Sequence, residues 1–193
     1  SDLAAARQGT GRAVFLAAPA GVGKSRLLRE LLLNAQWHDV EVLAGTCAEA
    51  GQEALAPLRQ ALRPLLATAG PDERERHAPV IGALYRAELL DPDALRVGLA
   101  AWIADAAGRA PIVMALEDLQ WADAPTLGVL NELAPALGFL PILLLATLRG
   151  DETPAGSAAW FAVNEGHARV LSLAPLAQPA TEALVAAMLG VPG

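Results

Sequence analysis

The sequence has little cysteine, no long apolar run and no concentration of basic residues, and each shortage excludes a class of protein. Its one cysteine, Cys47, cannot form a disulfide within the chain, and no charged segment followed by an apolar one opens the sequence as a signal peptide would. No apolar run is long enough to cross a bilayer. These shortages favour a cytoplasmic protein without membrane contact.

The charge balance and the histidines exclude two further kinds of site. Acidic residues outnumber basic residues by 21 to 14, the formal net charge is -7, and no basic stripe is visible. Surfaces that hold nucleic acid concentrate Lys and Arg, so we expect no direct contact with nucleic acid. His38, His77 and His167 are scattered without the spacing of metal ligands.

The apolar content fits one sizeable core with some apolar surface left over. The chain has 193 residues, of which 54% are hydrophobic, and its mean hydropathy of +0.37 is high for a soluble domain. We therefore expect some alanines and leucines to face partner surfaces, as in a piece of a longer protein. Trp37, Trp102 and Trp160 are predicted to be packing anchors, and Cys47 a small buried residue.

A glycine-rich loop lies between a predicted strand and a predicted helix. Residues 12–17 (RAVFLA) have the pattern of a buried strand, and residues 24–36 that of a helix. Between them, residues 18–25 (APAGVGKS) have the spacing of a phosphate-binding loop, with Ala18 where Gly is usual. The alternative is a glycine turn that matches this spacing by chance. The predicted strand before the loop and the predicted helix after it argue against that alternative.

The residue types of this loop match the chemistry of a nucleoside triphosphate. Gly21 and Gly23 allow main-chain N–H groups to point toward an anion. Lys24 can reach the β- and γ-phosphates, the Ser25 hydroxyl can ligate Mg²⁺, and the helix N-terminus adds its positive dipole end. The predicted nucleotide-binding residues are Ala20, Gly21, Val22, Gly23, Lys24 and Ser25.

A second apolar strand ends in two carboxylates. Residues 112–116 form a short run typical of a buried parallel strand, and Glu117 and Asp118 follow it. In a Walker B strand, one acid helps to hold Mg²⁺ and its neighbour orients or deprotonates the attacking water. By position, Glu117 is predicted to hold the magnesium and Asp118 to lie nearer the water, with the reverse division open. The alternative is that the pair only marks the polar end of a core strand.

A basic residue follows the next predicted strand, residues 141–148. Arg149 at this strand end is predicted to contact the γ-phosphate and to report whether it is present. The alternative is a surface arginine paired with Asp151 or Glu152. Trp121 lies just past the acids, where packing is the favoured interpretation and support of the acidic loop is the alternative.

Alternating strand and helix patterns predict the fold class. Further strands are predicted at residues 40–45 and 168–173, and helices at residues 57–67, 80–90, 93–107 and 125–136. The charged residues 72–76 are predicted to be a solvated turn or helix start, and Asp91 or its neighbour is predicted to cap the helix that follows, with Pro92 in its first turn. This alternation predicts an α/β fold with a mainly parallel five-stranded sheet flanked by helices, and the phosphate-binding loop makes it the three-layer sandwich of a P-loop NTPase.

Three segments together resemble a known family. APAGVGKSRLLREL, LEDLQWADAPTLGVLNELA and LLLATLRGDE resemble the ATPase domain of STAND-type signalling proteins within the AAA+ group. The likeness, from about residue 13 to residue 173, is greatest to large LuxR-type and MalT-like bacterial transcriptional regulators. It implies binding of ATP or ADP with Mg²⁺, an on/off switch with slow hydrolysis, self-association, and output through flanking domains.

The resemblance also implies roles for individual residues. Gly21, Gly23, Lys24 and Ser25 would form the Walker A contacts, Glu117 and Asp118 the Walker B acids, and Arg149 the sensor arginine, while Trp121, Ala122 and Asp123 match the WAD segment.

The extent of the resemblance implies a division of the chain. Residues 1–174 would be the ATPase domain and residues 175–193 the start of a helical lid domain, and the Gly-Arg-Glu segment that helps relatives to hold the base would lie upstream of Ser1. We expect a regulatory ATPase. The alternative is a structural nucleotide-binding or protein-interaction module without significant hydrolysis. A small-molecule kinase would need an acceptor pocket and a mobile basic lid, which the sequence does not present.

Overall fold

The computed structural model describes residues 2–36, 39–49, 53–86, 88–149, 168–175, 177 and 179–181. The helices are α1 (Asp2–Arg7), α2 (Lys24–Gln36), α3 (Ala56–Ala61), α4 (Arg63–Thr68), α5 (Pro71–Arg76), α6 (Ala78–Arg86), α7 (Pro92–Ala107) and α8 (Ala124–Leu133). The strands are β1 (Arg12–Ala18), β2 (Glu41–Thr46), β3 (Ile112–Glu117), β4 (Ile142–Arg149) and β5 (Ala168–Ser172), and 3-10 turns cover Leu119–Trp121 and Ala134–Phe139. Six residues singled out in the sequence lie outside the described residues: Trp37, His38, Asp151, Glu152, Trp160 and His167.

The five strands form one sheet in the order β2-β3-β4-β1-β5, and each pairing is parallel. This confirms the predicted fold class. β4 lies between β1 and β3, so the ends of those two strands are separated by two strand spacings, or about 10 Å. Residues that follow β1, β3 and β4 therefore meet at the same edge of the sheet.

Side chains alternate between the two faces of the sheet and divide the core into two clusters. On one face, Phe15 and Met114 pack with Trp102 in a large cluster that the helices α3, α4, α6, α7 and α8 cover. On the opposite face, Val113 packs with Leu28 of α2 in a smaller cluster, together with Ala6 of α1. Helix layers on both faces make the three-layer sandwich that the alternating pattern predicted.

Within the described part of the chain, the smaller face leaves a gap beside its helices. An apolar cavity of about 510 Å³ lies between α1, α2 and the sheet. Leu27 and Leu31 of α2 and Leu171 of β5 line it while remaining more than a third exposed. That some alanines and leucines face partner surfaces stays a prediction.

The predicted helix at residues 57–67 is instead two helices, α3 and α4. Leu62 separates them, with φ -85° and ψ 0°. The cause is Pro64, which has no N–H to donate to the carbonyl group of Gln60 and whose ring would collide with that carbonyl. The sequence prediction missed this break because the leucines keep helical spacing across it.

Two other predicted features are observed where the sequence placed them. The charged residues 72–76 lie in α5, in which no residue is buried. The Asp91 carboxylate caps α7 and accepts hydrogen bonds from the N–H groups of Asp93 and Ala94, both at 3.0 Å. Within the described part of the chain, no helix has both the length and the hydropathy that crossing a membrane requires.

Candidate functional site

β1 leads directly into the glycine loop, residues 18–25, which ends in the first turn of α2. Gly21 and Gly23 have positive φ angles of 80° and 101°, a conformation that other residues adopt only with strain. A Cβ atom built on either glycine would meet no atom within 4 Å. A larger side chain would therefore have room at both positions. Glycine is required there by the backbone conformation.

Lys24, the first residue of α2, bends back over the glycine loop. Its side chain is only 8% exposed, and Nζ donates hydrogen bonds to the backbone oxygens of Ala18 at 2.6 Å and Pro19 at 2.9 Å. A buried ammonium group needs such acceptors, because leaving it unpaired costs several kcal/mol. The loop thus carries a positive charge at its centre.

The two acids lie at the end of β3, in different surroundings. Glu117 is the last residue of the strand and lies on the same face as Val113 and Ala115, which belong to the α2 cluster. Asp118 follows the strand in the left-handed region, with φ 53° and ψ 48°. Aspartate tolerates this conformation better than most residues, and such backbone strain is common at functional sites.

Thr147 of β4 holds the strained turn in place. Its hydroxyl oxygen accepts a hydrogen bond from the Asp118 N–H at 2.8 Å, and the residue is 1% exposed. The sequence prediction did not identify Thr147 as a site residue. The signal that pointed to it was a single polar residue within the apolar strand of residues 142–148, because a hydroxyl buried there needs a partner.

Arg149 lies at the end of β4, in register with Ala18 at the end of β1. The central carbon of its guanidinium group is 4.4 Å from the centre of the Trp121 ring. Trp121 also packs at the margin of the large core cluster. It therefore makes the predicted packing contact and, in addition, a contact with Arg149. The predicted alternative partners of Arg149, Asp151 and Glu152, lie outside the described residues.

These elements enclose a cleft of about 340 Å³. Its lining residues are Ala20, Gly21, Gly23, Lys24, Ser25, Arg26, Asp118 and Arg149. Most of the predicted site residues are therefore brought together, and Arg26 joins them. Among the described residues, Val22 and Glu117 are the predicted members that do not line the cleft.

Cys47 follows β2, lies next to the end of β3, and is only 1% exposed. Its N–H donates to the backbone oxygen of Glu117 at 2.9 Å. Burial, with the carboxylates of Asp123 and Asp118 nearby, raises the pKa of the Cys47 thiol to about 12. The prediction of a small buried residue is confirmed, and a thiol with this pKa is a poor nucleophile.

Two further residues noted in the sequence have structural surroundings away from the cleft. Trp102 is fully buried, which confirms it as a packing anchor, and its indole N–H donates to Glu73 at 3.0 Å. His77 stacks on Trp102 with ring centres 6.3 Å apart. The His77 Nε2 atom lies 3.0 Å from a carboxylate oxygen of Asp105.

The donor set of the cleft fits a polyphosphate with a hard cation. Main-chain amides of the glycine loop and Lys24 suit phosphate oxygens, while the Ser25 hydroxyl and the Asp118 carboxylate are oxygen ligands that suit Mg²⁺. Across the described ranges, no group of three or more His, Cys, Asp and Glu residues lies close enough to hold a metal ion.

A comparison with protein families agrees with the observed glycine loop, with the position of Asp118 at the end of β3 and with the five-stranded parallel sheet. Residues 2–145, more than half of the chain, match the model of the family described as AAA ATPase domain. The chain belongs to this family. It is therefore a nucleotide-binding ATPase domain, and the cleft at the strand ends is its candidate site.

Individual relatives of this AAA ATPase domain are distant. An uncharacterised protein of Rhizobium meliloti strain 1021 is 26% identical over 182 residues, which cover 79% of this chain and 17% of that protein. This domain thus spans about a sixth of the length of the curated relative that it matches.

Solved structures share the fold of this AAA ATPase domain at low sequence identity. A STAND protein with a tetratricopeptide repeat sensor from Pyrococcus horikoshii is 16% identical, with a TM-score of 0.52 over 96% of this chain and 24% of that one. The Drosophila ORC structure bound to GC-rich DNA and Cdc6 is 12% identical, with a TM-score of 0.51 over 91% of this chain and 53% of that one. AMPPCP-bound DnaA from Aquifex aeolicus is 10% identical, with a TM-score of 0.50 over 97% of this chain and 48% of that one.

Proposed function

We propose that this AAA ATPase domain is a nucleotide-dependent switch that binds ATP or ADP with Mg²⁺ and hydrolyses ATP slowly. The observation that carries the proposal is the cleft in which the glycine loop, Asp118 and Arg149 face one another. A switch needs a group that binds both nucleotides and a second group that responds to the γ-phosphate. The glycine loop suits the first task and Arg149 the second.

The binding contacts follow from the chemistry of the glycine loop. Amides around Gly21 and Gly23, together with the ammonium group of Lys24, hold the phosphates, and the N-terminus of α2 contributes its dipole. The Ser25 hydroxyl ligates the magnesium ion that accompanies the nucleotide. Because diphosphate and triphosphate share the contacts to the loop, this part of the site binds both.

The catalytic step requires the acids at the end of β3. Asp118 lines the cleft, where its carboxylate can hold the magnesium or orient the attacking water, whereas Glu117 lies on the α2 side of the sheet, outside the cleft lining. From the sequence, the magnesium is assigned to Glu117 and the water to Asp118, with the reverse open, and the cleft lining supports Asp118 as the acid nearer the phosphates in either case. The bound nucleotide supplies the phosphoanhydride bond that is broken.

The larger context of the switch is a multidomain regulator. The matched relative is several times longer than this domain, and the STAND neighbour has a tetratricopeptide repeat sensor. We infer flanking domains, self-association, and output in signalling or transcription as in LuxR-type and MalT-like regulators. Within that parent, residues 1–174 form the ATPase domain and residues 175–193 begin a lid. The net charge of -7 argues against nucleic-acid contact by this segment.

The nucleotide-binding part of the proposal is tested by calorimetric titration of the 193-residue chain with ATP and ADP in the presence of Mg²⁺. Lys24→Ala should weaken ATP binding about tenfold or more, because it removes charge-assisted hydrogen bonds. Arg29→Ala is the matched control, since Arg29 carries the same charge on the exposed side of α2, outside the cleft lining. Unchanged ATP affinity in Lys24→Ala would contradict the placement of the phosphates.

Hydrolysis is tested by phosphate release with the double variant Glu117→Gln, Asp118→Asn. These changes remove both charges but keep the side-chain shapes, and asparagine tolerates the left-handed conformation of residue 118. We expect slow release that depends on Mg²⁺ in the wild type and a lower rate in the variant. Equal rates would favour the alternative, a module that binds nucleotide structurally without turnover.

A further inference from the structure

The 3-10 turn after β3 contacts both the acid and the arginine of the proposed site. The Gln120 Nε2 atom donates to Asp118 Oδ1 at 3.3 Å, and Gln120 Oε1 accepts from the backbone N–H of Arg149 at 3.2 Å. A carboxylate needs a donor and an N–H needs an acceptor, so both contacts require the same orientation of the amide. One side chain therefore links the ends of β3 and β4.

The next residue, Trp121, lies against the side chain of Arg149. The distance of 4.4 Å from the guanidinium carbon to the ring centre is well inside the range of about 6 Å for a cation–π interaction. The ring is half-buried and packs against the large core cluster, which restricts its own movement. A long arginine side chain otherwise has many rotamers. The contact with Trp121 thus confines the guanidinium group to the wall of the cleft.

We propose that Gln120 and Trp121 are positioning residues that hold Arg149 where it distinguishes a triphosphate from a diphosphate. This inference rests on the proposed function, because it takes Arg149 as the group that contacts the γ-phosphate. Gln120 keeps the end of β4 at a fixed place relative to Asp118, and Trp121 sets the direction of the guanidinium group. A residue that only packs would affect ATP and ADP equally.

The test measures the affinities of the 193-residue chain for ADP and for a non-hydrolysable ATP analogue, with Mg²⁺, by calorimetry. Trp121→Leu should lower the ratio of the two affinities about two- to fivefold, the worth of an exposed cation–π contact. Binding of ADP should change less than about twofold. Trp121→Phe keeps an aromatic ring and should keep most of the wild-type ratio. Gln120→Ala should lower the same ratio, since it releases the end of β4.

A double-variant comparison separates positioning from packing. In Arg149→Ala, the further change Trp121→Leu should leave the ratio unchanged, because Trp121 acts through the arginine. A further drop of the same size would overturn the inference. Trp102→Phe is the control for loss of a tryptophan, since Trp102 is buried in the core and does not line the cleft. It should leave both affinities at wild-type values.

Different failures lead to different conclusions. Should Trp121→Leu not fold, Trp121→Met provides the second variant, because its flexible side chain fills the space without a ring. Suppose that the folded Trp121→Leu or Trp121→Met variant keeps the wild-type ratio of the affinities for the ATP analogue and ADP, while Lys24→Ala loses ATP binding. That result would overturn this inference and leave the proposed function standing. A folded wild-type chain that binds neither nucleotide would overturn the proposed function and this inference with it.

Discussion

Replacing Thr147 by valine tests whether the strained turn at Asp118 depends on one buried hydroxyl group. Valine has nearly the shape of threonine but cannot accept the hydrogen bond that the Asp118 N–H donates at 2.8 Å. Asp118 occupies the left-handed region at φ 53°, so its backbone is strained and needs outside support. The substitution removes that support without creating a cavity.

The expected loss follows from the burial of the groups involved. Thr147 is 1% exposed and its hydrogen bond with the Asp118 N–H is partly buried, so water replaces the lost hydroxyl group only in part. Leaving such a donor unpaired costs about 1–3 kcal/mol. For a domain of this size, each kcal/mol lowers the unfolding temperature by about 2–4 °C. We therefore expect Thr147→Val to unfold roughly 2–12 °C below the wild type.

The measurement is thermal and urea unfolding of both proteins, with two comparison variants. Thr68→Val makes the same chemical change at an exposed hydroxyl group on α4 and should stay within about 0.5 kcal/mol of the wild type. Thr147→Ser keeps the acceptor oxygen and should recover part of the loss. The reasoning would be refuted if Thr147→Val were no less stable than Thr68→Val.

Three further predictions concern the loop, a helix cap and alkaline pH. Gly23→Ala should weaken nucleotide binding in calorimetry, because φ at this position is 101° and an alanine there is strained; wild-type affinity would contradict this. Asp91→Ala should lower the free energy of unfolding in urea by about 1 kcal/mol, because it removes the cap of α7; Asp93→Ala is the control, with a smaller expected loss. The Cys47 pKa is raised from 9.0 to about 12 in the folded state, so the folded protein binds this proton more tightly than the unfolded chain. This group should contribute no pH dependence to the free energy of unfolding below about pH 9 and should lower that free energy as pH rises from 9 toward 12. The check is urea unfolding of the wild type and Cys47→Ala across that range, in which the variant should show a smaller decrease.

Elements with a strong local pattern were predictable from the sequence. β3 and β4 are apolar runs covered on both faces, a pattern that few other structures produce. The glycine loop was identified from residue types at fixed spacing, and both Gly21 and Gly23 have positive φ. The cap of α7 was narrowed to Asp91 or its neighbour because Pro92 and a helical pattern follow, and the structure shows that it is Asp91.

Features that depend on contacts between distant segments were not predictable. Thr147 and Asp118 are 29 residues apart in sequence, as are Gln120 and Arg149. They meet only because β3 and β4 are neighbours in a specific register, and register is a property of the whole sheet. The short helix α1 was missed because six residues with three alanines show no clear apolar period.

The depth and high pKa of Cys47 make the chain convenient for spectroscopic labelling. It is the single cysteine of the sequence, and at neutral pH its thiol stays protonated and shielded from maleimide reagents. A cysteine introduced at a fully exposed position such as Leu89 would therefore take up a fluorophore or spin label selectively. Distances and motions can then be recorded without first removing the natural thiol.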